Sequence, residues 1–202
     1  HDSGLVDFEG RDIGKWKSKE LSKRLAILTQ SNNIQMKLTV RELVTFGRFP
    51  YSGNRVTPED QKIIDRAIAY MELEEFQDRF IDELSGGQRQ RALIAMVIAQ
   101  DTEYVLLDEP TNYLDEEHIE WLKRYLQDYE NAFILISHDI PFLNEVVNII
   151  YHMENQELNR YVGDYDHFQE VYAVKKAQLE AAYRRQQQEI SELKDFVARN
   201  KA

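Results

Sequence analysis

Two short runs in this 202-residue sequence hold residue types suited to phosphate chemistry. The first is Leu84-Ser-Gly-Gly-Gln-Arg-Gln-Arg91. Adjacent Gly86 and Gly87 let backbone N–H groups approach an anion closely, and a helix starting there adds the positive end of its dipole. Ser85 offers either a hydroxyl donor or an ordinary helix cap. The second run is Val105-Leu-Leu-Asp-Glu-Pro110, whose start follows Gln88 by 17 residues. Two carboxylates at the end of a buried apolar strand have a mechanical use. Asp108 can hold Mg²⁺, largely through water, and Glu109 can orient and deprotonate an attacking water. Acids that merely end a strand are the plain alternative, and the pairing with the Ser-Gly-Gly run weighs against it.

Positioning these groups calls for strands that alternate with helices. Leu5 to Ile13 alternates around Glu9-Gly10 and reads as a hairpin. A short helix capped by Ser18 and a strand at 25–29 follow. Thr39, with Glu42 in the capping-box position, opens a helix to about Gly47. Residues 48–57 read as a loop. Pro58 opens a helix to about 73 with an apolar face of Ile63, Ile64, Ala67, Ile68 and Met71. A helix over 86–98, a strand over 104–108, a helix over 115–129, a strand over 133–136, a helix over 140–147 and strands at 149–153 and 157–162 complete the series. This order predicts an α/β fold with functional residues at the strands' C-terminal ends. From Tyr165 onward there is no Gly and no Pro. Apolar residues at 168, 172, 179, 183, 190, 193 and 197 form an approximate heptad with gaps at Lys175 and Gln186, predicting one long coiled-coil-like helical arm.

Composition sets further bounds. With no cysteine, disulfides and thiolate metal sites are excluded, which fits a cytoplasmic protein. No membrane insertion is expected, because no apolar stretch reaches spanning length. The five histidines show no metal-ligand spacing. The net charge of −11 argues against the body gripping nucleic acid, and only residues 165–202, with 7 basic against 6 acidic residues, could do so.

Taken together, Leu84-Ser-Gly-Gly-Gln88 and Leu106-Leu-Asp-Glu-Pro110 resemble the signature motif and Walker B of the ATP-binding-cassette (ABC) superfamily. Three further matches stand in the same order. Gln30 resembles the Q-loop glutamine, a contact to metal and attacking water. Leu114-Asp115 resembles the D-loop, and Ser137-His138-Asp139 the switch histidine. The resemblance implies a partial P-loop NTPase core with ATP and Mg²⁺ as ligands. Glu109 and His138 would be catalytic, and Asp108 and Gln30 would be metal contacts. Gln30, Ser85, Gly86, Gly87, Gln88 and Asp115 would serve nucleotide binding. No Walker A motif, G-x-x-x-x-G-K-[ST], occurs anywhere in the sequence, so ATP binding is expected to be weak or absent and the chain inactive alone.

Residues 2 to about 110 resemble the ATPase of an iron-siderophore importer, in the run Leu25-Ala-Ile-Leu-Thr-Gln30 through Thr39-Val-Arg-Glu-Leu-Val-Thr-Phe-Gly-Arg48. From Thr111-Asn-Tyr-Leu-Asp115 onward, through Ser137-His-Asp-Ile-Pro-Phe-Leu143 and Tyr161-Val-Gly-Asp-Tyr165, the chain resembles ABC-F proteins, soluble tandem cassettes that act on ribosomes. We read it as a chimera, engineered in preference to naturally divergent. The resemblance implies a membrane permease as partner for the first part and the ribosome for the second. A recombined scaffold without activity and a ribosome-interaction module are the alternatives. The expected organisation is a truncated core with the Q-loop over 1–34 and a helical subdomain over 35–85. The signature helix, Walker B, D-loop and switch then occupy 86–164, and the arm 165–202, through which self-association is expected.

Overall fold

The computed structural model describes residues 4–29, 37–53 and 55–200. The chain divides into two compact units, His1–Asp139 and Ile140–Ala202.

The first unit opens with strands β1 (Asp7–Phe8) and β2 (Arg11–Asp12), an antiparallel pair. Glu9 and Gly10 both take positive φ in the connecting turn, the conformation that lets a two-residue loop follow the strand twist. Helix α1 (Ser18–Leu21) leads into β3 (Leu25–Leu28). Its N-cap is Lys17, with no side-chain cap, so the expected capping by Ser18 is not what starts this helix. Strand β3 pairs in parallel with β4 (Tyr104–Asp108), and β4 in parallel with β5 (Ala132–Ile136). Val105 and Leu107 of the central strand are buried, and so are Ala26 and Leu28 of β3.

Between β3 and β4, among the described residues, lie the α-helices α2 (Val40–Phe46), α3 (Phe49–Ser52), α4 (Pro58–Tyr70) and α5 (Gly86–Gln100). Capping boxes open α2 at Thr39/Glu42, α4 at Thr57/Asp60 and α5 at Ser85/Gln88. Each box satisfies two backbone donors that a helix start leaves unpaired. Helix α3 is a correction, since 48–57 reads as a loop in sequence. Its single turn is seated by Arg48, whose Nε donates to Asp60 Oδ1 at 2.8 Å and whose Nη1 donates to the Ala99 carbonyl at 3.0 Å. Helix α5 is apolar on several faces because it packs on α2 and α4 and also on β3. Gly47 permits that packing: a Cβ there would stand 2.4 Å from the Met96 carbonyl oxygen. Helix α6 (Glu116–Gln127) connects β4 to β5, with Asp115 as its N-cap.

The second unit begins with α7 (Ile140–Val146) and a hairpin of β6 (Ile149–Glu154) and β7 (Glu157–Val162), which turns at Asn155-Gln156 with positive φ at both. Helix α8 (Tyr165–Arg199) follows as one continuous 35-residue element capped by Asp164, whose Oδ1 accepts from the His167 N–H. Among the described residues no helix is long and apolar enough to cross a membrane.

Candidate functional site

Helix α5 starts where the sequence places its signature run. The Ser85 hydroxyl accepts from the Gln88 N–H at 3.2 Å, and Gln88 Oε1 accepts from the Ser85 N–H at 3.0 Å. Ser85 is therefore the helix cap, and accepting that bond leaves its own O–H proton available to donate. Gly86 and Gly87 occupy the first turn, where N–H groups have no intrahelical partner.

The glycines have a second reason to be there. A Cβ on Gly87 would stand 2.6 Å from the Tyr113 carbonyl oxygen, and one on Gly86 would touch the Tyr113 ring at 3.4 Å. The loop after β4 thus crosses directly over the start of α5. Tyr113 itself takes positive φ, a sparsely populated state for a bulky residue. Gln90 Nε2 ties the same loop down by donating to the Pro110 carbonyl at 3.0 Å. Ser85, Gly87, Gln88 and Asp115 consequently share one polar concavity, with Arg91, Tyr113 and Leu114.

Asp115 does more there than cap α6. Its Oδ1 meets His118 Nδ1 at 2.5 Å and the His118 N–H at 3.0 Å. These bonds from His118 hold the Asp115 carboxyl below the usual carboxylate range. His118 is buried, and its Nε2 lies 2.8 Å from Arg91 Nη1, which also donates to the Met71 carbonyl at 2.9 Å. Since arginine can only donate, Nε2 is the acceptor and Nδ1 carries the proton toward Asp115. This Asp115–His118–Arg91 chain escaped sequence reasoning. Its only signal was the i, i+3 spacing of Asp115 and His118 at a helix start.

The second cluster stands at the C-terminal ends of β4 and β5. Asp108 is the last residue of β4, opposite Ile136 in register. Glu109 follows in a left-handed backbone conformation, φ 49°, and its N–H donates to the Ile136 carbonyl at 2.8 Å. Only 7% of Glu109 is exposed. One carboxylate oxygen lies 3.4 Å from the His138 backbone N–H, and the other 3.5 Å from His138 Nε2. The His138 ring is almost fully exposed while its carboxylate neighbour is buried. Non-glycine positive φ beside a buried carboxylate is the kind of strain that clusters at functional sites. Gln30 lies outside the described residues.

A family model described as ABC transporter matches residues 1–112, and a second with the same description matches residues 151–202. The chain belongs to the ABC transporter family. Among ABC relatives, the uncharacterized ABC transporter ATP-binding protein YfmM of Bacillus subtilis (strain 168) is 73% identical over 125 residues, 62% of this chain and 24% of that protein. The petrobactin import ATP-binding protein YclP of the same organism is 48% identical over 158 residues, 76% of this chain and 63% of that protein. The chain thus spans less than two thirds of either relative. A dimeric ATP-binding cassette solved in a post-hydrolysis state with ADP and Pi superposes with a TM-score of 0.66 at 25% identity, over 79% of this chain and 73% of that one. The partial ABC core read from the motifs, with its α/β order, helical segment and long C-terminal helix, is the fold observed. The siderophore-importer resemblance of the first part agrees with the petrobactin-import relative.

Proposed function

We propose that this ABC chain brings two separate sets of residues to nucleotide hydrolysis. Glu109 acts as the base on the attacking water, and His138, beside it, contacts the terminal phosphate. The start of α5, with Ser85, Gly86, Gly87 and Gln88, offers N–H donors and a helix dipole to the phosphates of a nucleotide held by an opposing cassette. Asp115 shapes the loop between the two sets, and Gln30 is the Q-loop contact.

The residues present suit Mg²⁺ and ATP in their donor chemistry. Among the described residues no cluster of three His, Cys, Asp or Glu could hold a metal unaided. Mg²⁺ is bound in phosphate sites by one or two carboxylates plus phosphate and water, so Asp108 alone meets the protein's share. Bound Mg²⁺ would neutralise charge on the phosphates. The uncapped N–H groups at Gly86 and Gly87 match an anionic oxygen.

The observation that carries this reading is the pairing of buried Glu109 with exposed His138 at the end of a parallel strand. A carboxylate shielded from bulk water and a neighbouring imidazole form a unit able to accept and hold a proton.

The organisation we propose is the truncated core, helical subdomain, signature-to-switch segment and arm read from the motifs. The chain is also proposed to be a chimera. Support comes from two relatives that match 62% and 76% of it, neither spanning the whole. By that reading a permease is the partner of the first part and the ribosome of the second.

The 202 residues contain no Walker A motif, so the isolated chain is expected to release phosphate from ATP no faster than its Glu109→Gln variant. Turnover well above that variant would overturn the expectation. A positive test places a segment carrying the Walker A pattern G-x-x-x-x-G-K-[ST] ahead of residue 2. That fusion should hydrolyse ATP, and Glu109→Gln should lower its rate by about 100-fold or more. A folded, ATP-binding fusion indifferent to Glu109 refutes the assignment.

A further inference from the structure

We propose that His118 is a positioning residue. It fastens the far end of the loop between β4 and α6 to Arg91, and through Arg91 to the end of α4. The place of that helix end then sets where Asp115 stands beside the first turn of α5.

The contacts start at α4. The Leu73 N–H donates to the Ile68 carbonyl at 3.0 Å, and the Glu72 N–H to the Ala69 carbonyl at 3.1 Å, the paired bonds of a Schellman motif. Glu72 takes the left-handed position after the cap, φ 48°, where glycine is usual. Arg91 takes up the next two carbonyls: its Nη1 lies 2.9 Å from that of Met71 and 3.4 Å from that of Glu72. On α5, Arg91 stands one turn after Gly87 and on the same face. The same Nη1 reaches His118 Nε2 at 2.8 Å, and His118 Nδ1 reaches Asp115 Oδ1 at 2.5 Å.

Each link has a fixed direction. A guanidinium only donates and an ionised carboxylate only accepts, so a single neutral tautomer of His118 joins them. Glu72 Oε2, 3.8 Å from Nε2, stands beyond hydrogen-bond length. With His118 only 6% exposed, either bond is costly to lose.

Capping α6 does not require this ring. Asp115 caps that helix by accepting the His118 backbone N–H, which almost any residue at 118 would supply. The imidazole adds a bond to a different helix, and a residue serving α6 alone has no use for it. The start of the loop is held separately, by Gln90 on the Pro110 carbonyl. His118 therefore secures the end that Gln90 leaves free to shift. This role rests on the nucleotide reading for its purpose: Ser85, Gly87 and Asp115 line one concavity, so moving Asp115 moves a negative charge relative to the phosphate-facing N–H groups.

The full chain without nucleotide is the sample, so failure of the nucleotide reading leaves these outcomes unchanged. Nitrogen NMR of the imidazole should find the one ring proton of His118 on Nδ1. A proton on Nε2, or on both nitrogens, overturns the proposal. The Leu114 N–H is bonded within the loop, to the Thr111 carbonyl at 3.1 Å, and its hydrogen exchange reports loop opening. His118→Leu should speed that exchange about tenfold, the loss of one charge-assisted bond, without a matching rise at Leu107 in β4. An equal rise at Leu107 means general destabilisation and overturns the role. Arg91→Met should speed Leu114 exchange in the wild type and add nothing in the His118→Leu background. Equal effects in both backgrounds put Arg91 outside the chain and also overturn it. His118→Asn, whose amide nitrogen stands in for Nδ1, keeps a donor for Asp115 and loses Arg91, so it should behave as His118→Leu does. Full protection in the Asn variant would reduce His118 to a cap for α6.

Discussion

At the scale of single residues, the site depends on atoms that cannot be enlarged or left unpaired. Gly87 lies 2.6 Å, measured from the Cβ it lacks, from the Tyr113 carbonyl oxygen. Alanine there must push the loop off α5 or shift the helix. Gly87→Ala should therefore cost about 1–3 kcal/mol in denaturant unfolding, the range for overpacking a tight contact. An unchanged midpoint would mean the loop yields freely. Asp60 is a different case. The Thr57 hydroxyl at 2.6 Å, then Arg48 at 2.8 Å, hold its carboxyl at about 2, against an ordinary 3.8. A lowered folded-state value stabilises the fold above the ordinary value and is lost as pH falls toward 2. Removing one partner of a buried pair costs about 3 kcal/mol or more, so Asp60→Asn should be destabilised by that much near pH 7. The gap from wild type should shrink between pH 4 and pH 2. A gap constant over that range would show that ionised Asp60 is not what seats α3.

At the scale of elements, legibility followed local chemistry. Helices α2, α4 and α5 were readable because each begins with a side chain that satisfies its own first turn, and the periodicity after it is unbroken. Strand β4 was readable from its continuous apolar run, which central parallel strands carry because both faces are enclosed. Helix α3 was not, since its Pro50 and the following Gly53 signal a loop, and the turn forms only because Arg48 reaches Asp60 and Ala99 far along the chain. The site divides the same way. Ser85, Asp108, Glu109 and His138 announced themselves by motif, and the structure sets Glu109 beside His138. The buried His118 bridge between Asp115 and Arg91 needed three elements to converge, and no local pattern encodes that.

At the scale of the whole chain, the parallel sheet of the first unit is unevenly covered among the described residues. Strands β3, β4 and β5 are all parallel, and parallel sheets normally have both faces covered. Here Ala26, Leu28, Val105 and Leu107 fill one face, while Ile27, Ile134 and Ile136 on the other are 48%, 63% and 50% exposed. The bare face holds residue types that a water-facing sheet would replace by polar ones, so it is a surface meant to be covered. The relatives, of which this chain spans 24% and 63%, have further sequence from which a cover could come. Alone, the chain should bind a hydrophobic dye at this face. Changing Ile134 and Ile136 to Lys should then cut dye fluorescence severalfold and raise the concentration at which the chain aggregates. The cost in stability should be under about 1 kcal/mol, because neither side chain contributes to the buried core. Fluorescence unmoved by the double substitution would show that this face is already protected in solution.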